Sequence, residues 1–400
     1  MKKFLKYLSV GLLALITSTI LYTYITYPAE YVNRVLQWGN ADVYDYQKFP
    51  KRLIEAPDSH FEFPLALNED RVRTQFEIGS SINDFDSFLA ENHTQAFIVI
   101  QDDAIIYEQY FNGASRDSIV TSFSIAKSFD STLIGLAIED GYIESVDDPI
   151  TKYTPELLER DPAFANITIR DLLMMSSGIS YQEFPFVNGD DAKTYYYPDL
   201  RKLALEETVI AGKPGEKFLY NNYHPLLLGL ILERATGMSV TYFLQEKIWK
   251  PIGMEYPASW SLDELGFEKM ESGINARAVD FAKFGRLFLH SGNWDGVQVV
   301  PTEWVAEATH ADTSIDYESY YYNDYIFADG QGYYKYMWWG IQRDTKNYDF
   351  IAEGNHGQFI YISPYKNLII LRFGESYGSF YGSKGWLDMF YNFSSNFEMP

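Results

Sequence analysis

The chain has 400 residues, 46% apolar and 22% charged, which allows a large folded core and excludes a disordered chain. Its 55 acidic against 32 basic residues give a formal charge of −23, a surface that repels phosphate backbones and argues against nucleic acid as a partner. With no cysteine present, thiol catalysis, disulfides and zinc–thiolate sites are excluded.

Lys2, Lys3 and Lys6 precede an uncharged run over 7–27, rich in Leu, Ile, Thr and Tyr. About 20 such residues cross a bilayer as a helix, and the run closes on Ile25-Thr26-Tyr27-Pro28 without a small-residue cleavage pattern. Tyr22, Tyr24 and Tyr27 look like an interfacial belt, and the lysines lie on the leading side. Residues 1–6 therefore read as a cytoplasmic tail and 7–27 as an uncleaved signal-anchor, with a cleaved signal peptide as the alternative. Either way the rest of the chain is expected to be exported, on the periplasmic or extracellular side.

Residues 28–75, with Pro50, Pro57 and Pro64, read as a connector packed on a main domain spanning 76–400. Ile82, Phe85, Phe88 and Leu89 predict a helix over 82–91. Strand-like runs over 96–101 and 104–111 flank Asp102-Asp103 as a hairpin turn. Apolar residues then recur every three to four positions over 123–139, 169–175, 198–207, 225–236, 240–249 and 278–290. Gly141, Gly237 and Gly292 stand where helix stops are expected. Strands return over 337–342, 358–363 and 368–373, the last two joined through Pro364-Tyr365-Lys366-Asn367, and a closing helix fits 384–390. The expected fold is α/β of the α+β kind. An antiparallel sheet is completed by both ends of the chain and flanked by helices, with a mainly helical subdomain inserted at about 141–335.

Chemistry concentrates in Thr121-Ser122-Phe123-Ser124-Ile125-Ala126-Lys127-Ser128. If a helix starts near Ser124, residues three apart share a face and the Lys127 amine reaches the Ser124 hydroxyl. A serine hydroxyl attacks only when a neighbour takes its proton, and lysine does so once burial depresses its pKa. Helix-start N–H groups also favour a developing oxyanion. A second segment, Phe218-Leu219-Tyr220-Asn221-Asn222-Tyr223, puts Tyr220 and Asn222 on a loop before a helix. There a phenol can relay a proton and an amide can orient substrate. Neither S-x-x-K nor Y-x-N is specific by itself.

Together they resemble the penicillin-recognising serine hydrolases: class C β-lactamases, D-alanyl-D-alanine carboxypeptidases, related esterases and 6-aminohexanoate-dimer hydrolases. The resemblance runs over about 80–390. It takes in Leu133-Ile134-Gly135-Leu136-Ala137, Asp147-Asp148-Pro149-Ile150, 167–178, Glu233-Arg234-Ala235-Thr236-Gly237 and Pro251-Ile252-Gly253-Met254. It implies a β-lactamase/transpeptidase-like fold, Ser124 as nucleophile, Lys127 and Tyr220 as proton carriers and Asn222 as a substrate-orienting amide. The family's third motif, K-T-G or H-x-G, matches Asn355-His356-Gly357, so Asn355 replaces the cation that normally meets a substrate carboxylate. The resemblance also implies Asn355, His356 and Gly357 as substrate-binding residues, with the backbone N–H groups of Ser124 and Gln358 as the oxyanion hole. Gly357 would permit the close backbone approach that this hole requires.

Gly374-Glu375-Ser376-Tyr377-Gly378 fits G-x-S-x-G, but all six histidines precede Ser376, the reverse of the order that motif requires. It reads as a turn. The Tyr195–Tyr197 and Tyr320–Tyr322 clusters and Trp338-Trp339 read as packing, or as an aromatic pocket lining. Asp190-Asp191 reads as a solvated loop and Arg343-Asp344 as a solvated strand end. No metal or cofactor is called for. The expected activity is hydrolysis of a small-molecule ester or amide through an acyl-enzyme. The alternatives are a penicillin-binding carboxypeptidase or β-lactamase, and a catalytically silent membrane-tethered binding protein.

Overall fold

The computed structural model describes residues 2–185, 187–311, 317, 331–379 and 382–397. Thirteen strands are described: β1 Lys51–Ile54, β2 Thr94–Gln101, β3 Ala104–Tyr110, β4 Ile119–Thr121, β5 Ala258–Ser261, β6 Ile274–Arg277, β7 Asn293–Trp294, β8 Val297–Gln298, β9 Gly332–Lys335, β10 Trp338–Gln342, β11 Tyr348–Gly354, β12 Gln358–Ser363 and β13 Leu368–Gly374. Seven of them form an antiparallel sheet in the order β3-β2-β13-β12-β11-β10-β9, so both ends of the chain complete it.

Both faces of this sheet are buried. Ile98, Ile100, Ile360, Ile362, Ile369 and Leu371 point into one core with Phe129 and Leu133 of helix Ala126–Glu139 and Phe281 and Phe284 of helix Ala278–Leu289. Phe97, Val99, Phe359, Tyr361 and Ile370 point the other way, against Phe76, Phe85, Trp386 and Phe390 of helices Glu69–Ser80, Phe85–Glu91 and Gly382–Asn396. Burial on both sides turns the period-two alternation into continuous apolar runs, which is why these strands stand out in the sequence.

A smaller sheet, β1-β5-β6-β4, draws strand β1 out of the 28–75 connector. That connector also carries helix Ala29–Trp38. Two pieces of the 141–335 segment belong to the main layer: helix Ala278–Leu289 lies on the sheet, and β9 forms its edge. At the amino end, helix Lys2–Thr26 contains a 20-residue stretch, Tyr7–Thr26, of mean hydropathy 1.8 and no burial against the rest of the protein. It is long and apolar enough to cross a bilayer. Arg343 differs from expectation. Its guanidinium is buried, donating to the fully buried Asp349 carboxylate at 2.6 Å and lying 3.9 Å over the Tyr391 ring. An exposed strand end in sequence became the anchor of the closing helix.

Candidate active site

The small sheet positions Ser124. Strand β4 delivers Ser122, whose N–H donates to the Ile274 carbonyl at 2.8 Å and whose Oγ accepts from the Ile274 N–H at 3.1 Å. The chain then tightens through Phe123–Ile125 into helix Ala126–Glu139. Phe123 sits at φ +41°, a left-handed conformation that a bulky L-residue adopts only at a cost of about 1–2 kcal/mol. Such strain directly before a serine is a mark of function when neighbouring contacts enforce it.

One turn on, the Lys127 Nζ lies 2.8 Å from the Ser124 Oγ and donates to the Glu271 carbonyl at 3.0 Å. Its ammonium hangs 4.9 Å over the centre of the Tyr220 ring. Lys127 is 1% exposed, and no carboxylate forms an ion pair with it among the described residues. Burial lowers its pKa to about 8 against the opposing pull of Glu271, Asp130 and Asp191. About a tenth of the molecules thus carry the free amine at pH 7, far more than an exposed lysine provides.

Tyr220 is stacked on Trp339, with centroids 5.6 Å apart and planes at 17°, and its edge meets Tyr334. The Asn222 Nδ2 donates to the Tyr181 hydroxyl at 2.8 Å and reaches Asp191 Oδ1 at 3.4 Å, while its buried Oδ1 has no partner among the described residues. Ser124, Tyr220, Asn222, Asn355 and His356 line one cleft of about 500 Å³, a size suited to a small ligand. Five of the seven residues read from the motifs as cleft-lining therefore meet there, with Lys127 buried directly behind Ser124.

Gly357 and Gln358 are not among its lining residues. The Gly357 carbonyl accepts from Arg372 at 2.6 Å, on the side away from the cleft. Gln358 is buried, its side-chain amide locked to the Gly374 N–H and carbonyl at 3.0 and 2.7 Å. The glycine that touches the nucleophile turn is Gly354, where a Cβ would lie 2.4 Å from the Ser122 carbonyl oxygen. The residue after that contact, facing the cleft, is Asn355. Counted from Gly354, the position of the family's cation is Ala352, a buried residue of β11. His356 sits at φ +64° with its ring against Phe123, and its Nε2 is 3.0 Å from the Ala41 carbonyl.

Other walls escaped the motifs. Asp190 and Asp191 open helix Asp190–Tyr196, and Asp191 lines the cleft with Tyr195 and Tyr196. The Tyr181 hydroxyl donates to the Asp191 carboxylate, and burial raises that carboxyl above its usual range. Asn40 and Ala41 of the connector, and Glu271 and Ser272 before β6, complete the cleft. No sequence signal marks these four; the acidic pair offered the only clue to Asp191. Ser376 accepts from the Gly378 N–H at 3.1 Å in a local turn. Tyr320–Tyr322 lie outside the described residues.

Beneath the β11–β12 turn lies Arg372, fully buried. It donates to the carbonyls of Gly357, His356, Asn92 and Ser376 and to Thr94 Oγ1, with its guanidinium 3.9 Å over Trp386. Desolvation lowers its pKa to about 9. It clamps the turn that faces Ser124.

A family model described as "Beta-lactamase" matches residues 85–371. A 6-aminohexanoate-dimer hydrolase of Paenarthrobacter ureafaciens is 25% identical over 315 residues, 74% of this chain and 76% of that protein. A teichoic acid D-alanine hydrolase of Staphylococcus aureus (strain MRSA252) is 26% identical over 180 residues, 44% of this chain and 42% of that protein. Among solved structures, a Bacillus anthracis protein assigned as a 6-aminohexanoate-dimer hydrolase superposes with a TM-score of 0.75 at 26% identity, covering 90% of this chain and 93% of that one. A class C β-lactamase with a TM-score of 0.58 and 15% identity, covering 85% and 100%, shares the fold.

Proposed function

This chain belongs to the β-lactamase family, and from that premise we propose that it is a serine hydrolase cleaving an ester or amide through an acyl-enzyme on Ser124. The observation that carries the reading is the buried Lys127 amine, 2.8 Å from the Ser124 Oγ and free of any ion-paired carboxylate among the described residues. In its neutral form it takes the hydroxyl proton as Oγ attacks the substrate carbonyl carbon. The carbonyl oxygen becomes an oxyanion, for which we assign the backbone N–H groups of Ser124 and Asn355 as donors. Tyr220, above the Lys127 ammonium, passes a proton to the leaving alcohol or amine. The same pair then withdraws a proton from the water that releases the acyl group. Asn222, with its Oδ1 unpartnered, orients the acyl chain.

The cleft's lining favours one substrate class. Among the described residues it carries Glu183, Asp191 and Glu271 but no Arg or Lys side chain, and, counted from Gly354, Ala352 stands where a cation would meet a carboxylate. An ester or amide that is neutral or bears an amine fits these walls; a β-lactam or a peptide carboxylate does not. The names of the two hydrolase relatives have one feature in keeping with these walls, an acyl group that bears an amine. The amino-terminal helix serves as a membrane anchor for the exported domain.

Fluorophosphonate labelling, together with hydrolysis of short 4-nitrophenyl esters, tests the reading. Both are expected to depend on Ser124. A Ser124→Ala protein as fast as wild type would remove Ser124 from the mechanism, and an unlabelled wild-type chain would favour a silent binding protein. Stable, Ser124-dependent labelling by penicillin would restore the penicillin-binding alternative.

A further inference from the structure

We propose that the cleft opens onto the surface of the bilayer entered by the amino-terminal helix, with the rim around Phe184 in the headgroup layer. The ester or amide it cleaves then belongs to an amphiphile resident in that membrane. The inference rests on the anchor and hydrolase readings above.

The apolar helix does not lead into a free linker. Only Tyr27 and Pro28 separate Thr26 from helix Ala29–Trp38, and the junction is braced on both sides. The Tyr24 hydroxyl donates to Asn33 Oδ1 at 2.7 Å, and the Tyr27 and Tyr31 rings meet edge-on at 5.4 Å. Tyr31 is fully buried, and its hydroxyl donates to the Val187 carbonyl at 2.6 Å. Tyr31, Val32 and Val35 pack with Ala192 and Tyr196 of the helix that also holds Asp191. The segment then runs on through Asn40 and Ala41 along the cleft itself. One wall of the cleft is therefore docked to the first residues after the anchor.

Distances along the chain fix how far the rim stands from the membrane. Tyr31 comes five residues after Thr26, within about 17–18 Å of it even if the chain between them were fully extended. Phe184 is three residues from Val187, within about 10 Å of it even if fully extended. The headgroup layer on each side of a bilayer is roughly 5–8 Å thick. These lengths limit how far the rim can stand from the bilayer, and the label at 184 reads whether it enters the headgroup layer.

What stands on the rim fits it. Phe184 lines the cleft and is 75% exposed, and Leu36 on helix Ala29–Trp38 is also exposed. An aromatic ring wasted on water gains contact area in the interfacial zone, where such side chains concentrate. With a net charge of −23 the protein is not drawn to an anionic surface, so covalent tethering and apolar contact hold the rim there, and salt should matter little. Tethering enzyme and substrate to one surface raises their effective concentration without any new contact.

The absence of cysteine makes the test clean, because F184C and V297C each give the full chain a single labelling site. Val297 is a 64% exposed residue of the β7–β8 hairpin. That hairpin is tied through Asp295 and Arg286 to Asp103, at the end of the sheet opposite the cleft. The two proteins are labelled with an environment-sensitive fluorophore and reconstituted in phosphatidylcholine vesicles with headgroup-nitroxide lipid. Label 184 should be quenched at least twofold and label 297 unaffected. Equal quenching at the two sites, or none at either, would overturn the surface contact.

For the substrate class, unlabelled full chain meets a phospholipid-tethered 4-nitrophenyl ester placed either in its own vesicles or in separate ones. Hydrolysis at least tenfold faster in shared vesicles is expected, and equal rates would overturn the membrane-resident substrate. Soluble 4-nitrophenyl butyrate is the reference: if its hydrolysis does not depend on Ser124, the hydrolase reading fails, while the label at 184 still decides the contact.

Discussion

Ser124 and Lys127 meet because one turn of backbone puts them there, whereas Asn355 and His356 face them only because strands from two distant parts of the chain are stacked into place. In the nucleophile turn the decisive contact, 2.8 Å from Nζ to Oγ, spans three residues. In the β11–β12 turn, the contact that matters is Gly354 against Ser122, more than 230 residues away in sequence. The first arrangement survives any change that keeps the helix. The second depends on sheet register and on Arg372 holding the turn's carbonyls from below. A local device is legible and robust; a non-local one is neither.

Variants on the two sides should therefore behave differently, and the nucleophile turn should show the largest effects. Ser124→Ala is expected to lower kcat/KM for 4-nitrophenyl esters by roughly 10⁴-fold or more with the melting temperature unchanged, since it removes the attacking atom and no packing. Lys127→Met should approach that loss. Tyr220→Phe, keeping the stack on Trp339, should cost about 10²–10⁴-fold, the span of a lost proton carrier, read by steady-state kinetics.

The opposite wall separates backbone from side chain. Asn355→Pro deletes one N–H and should cost about 10²–10³-fold, while Asn355→Ala keeps it and should stay within a few-fold of wild type. A large loss in Asn355→Ala would mean that the side chain, not the peptide, does the work. Arg372→Lys keeps the charge but loses the fork that reaches four carbonyls. It should lower kcat more than it raises KM and also lower Tm, and Arg372→Met should lower Tm further because more carbonyls are left unsatisfied.

A last expectation concerns the pH profile. Because burial lowers Lys127's pKa to about 8, the reactive base accumulates as pH rises through that value, so kcat/KM should climb from pH 6 and level off above about 8. A rise with pH that survives unchanged in Lys127→Met would show that Lys127 is not the base.

Five of the seven main-sheet strands, β2, β3, β10, β12 and β13, were readable because burial on both faces leaves runs such as Ala96-Phe97-Ile98-Val99-Ile100 with no polar interruption, whereas β9 and β11 were not read. Strands β1, β4, β5 and β6 were not, because each is three or four residues long and gains its place from its partner. Ser124, Lys127, Tyr220 and Asn222 were singled out by two motifs within a family resemblance, and three of them line one cleft with Lys127 behind Ser124. Gly354 and Gly357 are alike in sequence, and only the approach of Ser122 tells which one lies against its turn. Asp191 resembled any surface acid until Tyr181 and Asn222 closed around it.

The order of residues along this chain thus settled whatever one helical turn or one strand can encode: an amine beside an alcohol, a buried sheet, an apolar leading helix. The folded molecule alone decided what depends on segments hundreds of residues apart. It took Lys127 out of water and so lowered its pKa, set Gly354 against the turn that carries Ser124, and brought the residues after the apolar leading helix to the wall of the cleft. Desolvation and close approach are properties of the surroundings, and a sequence names neighbours only along the chain.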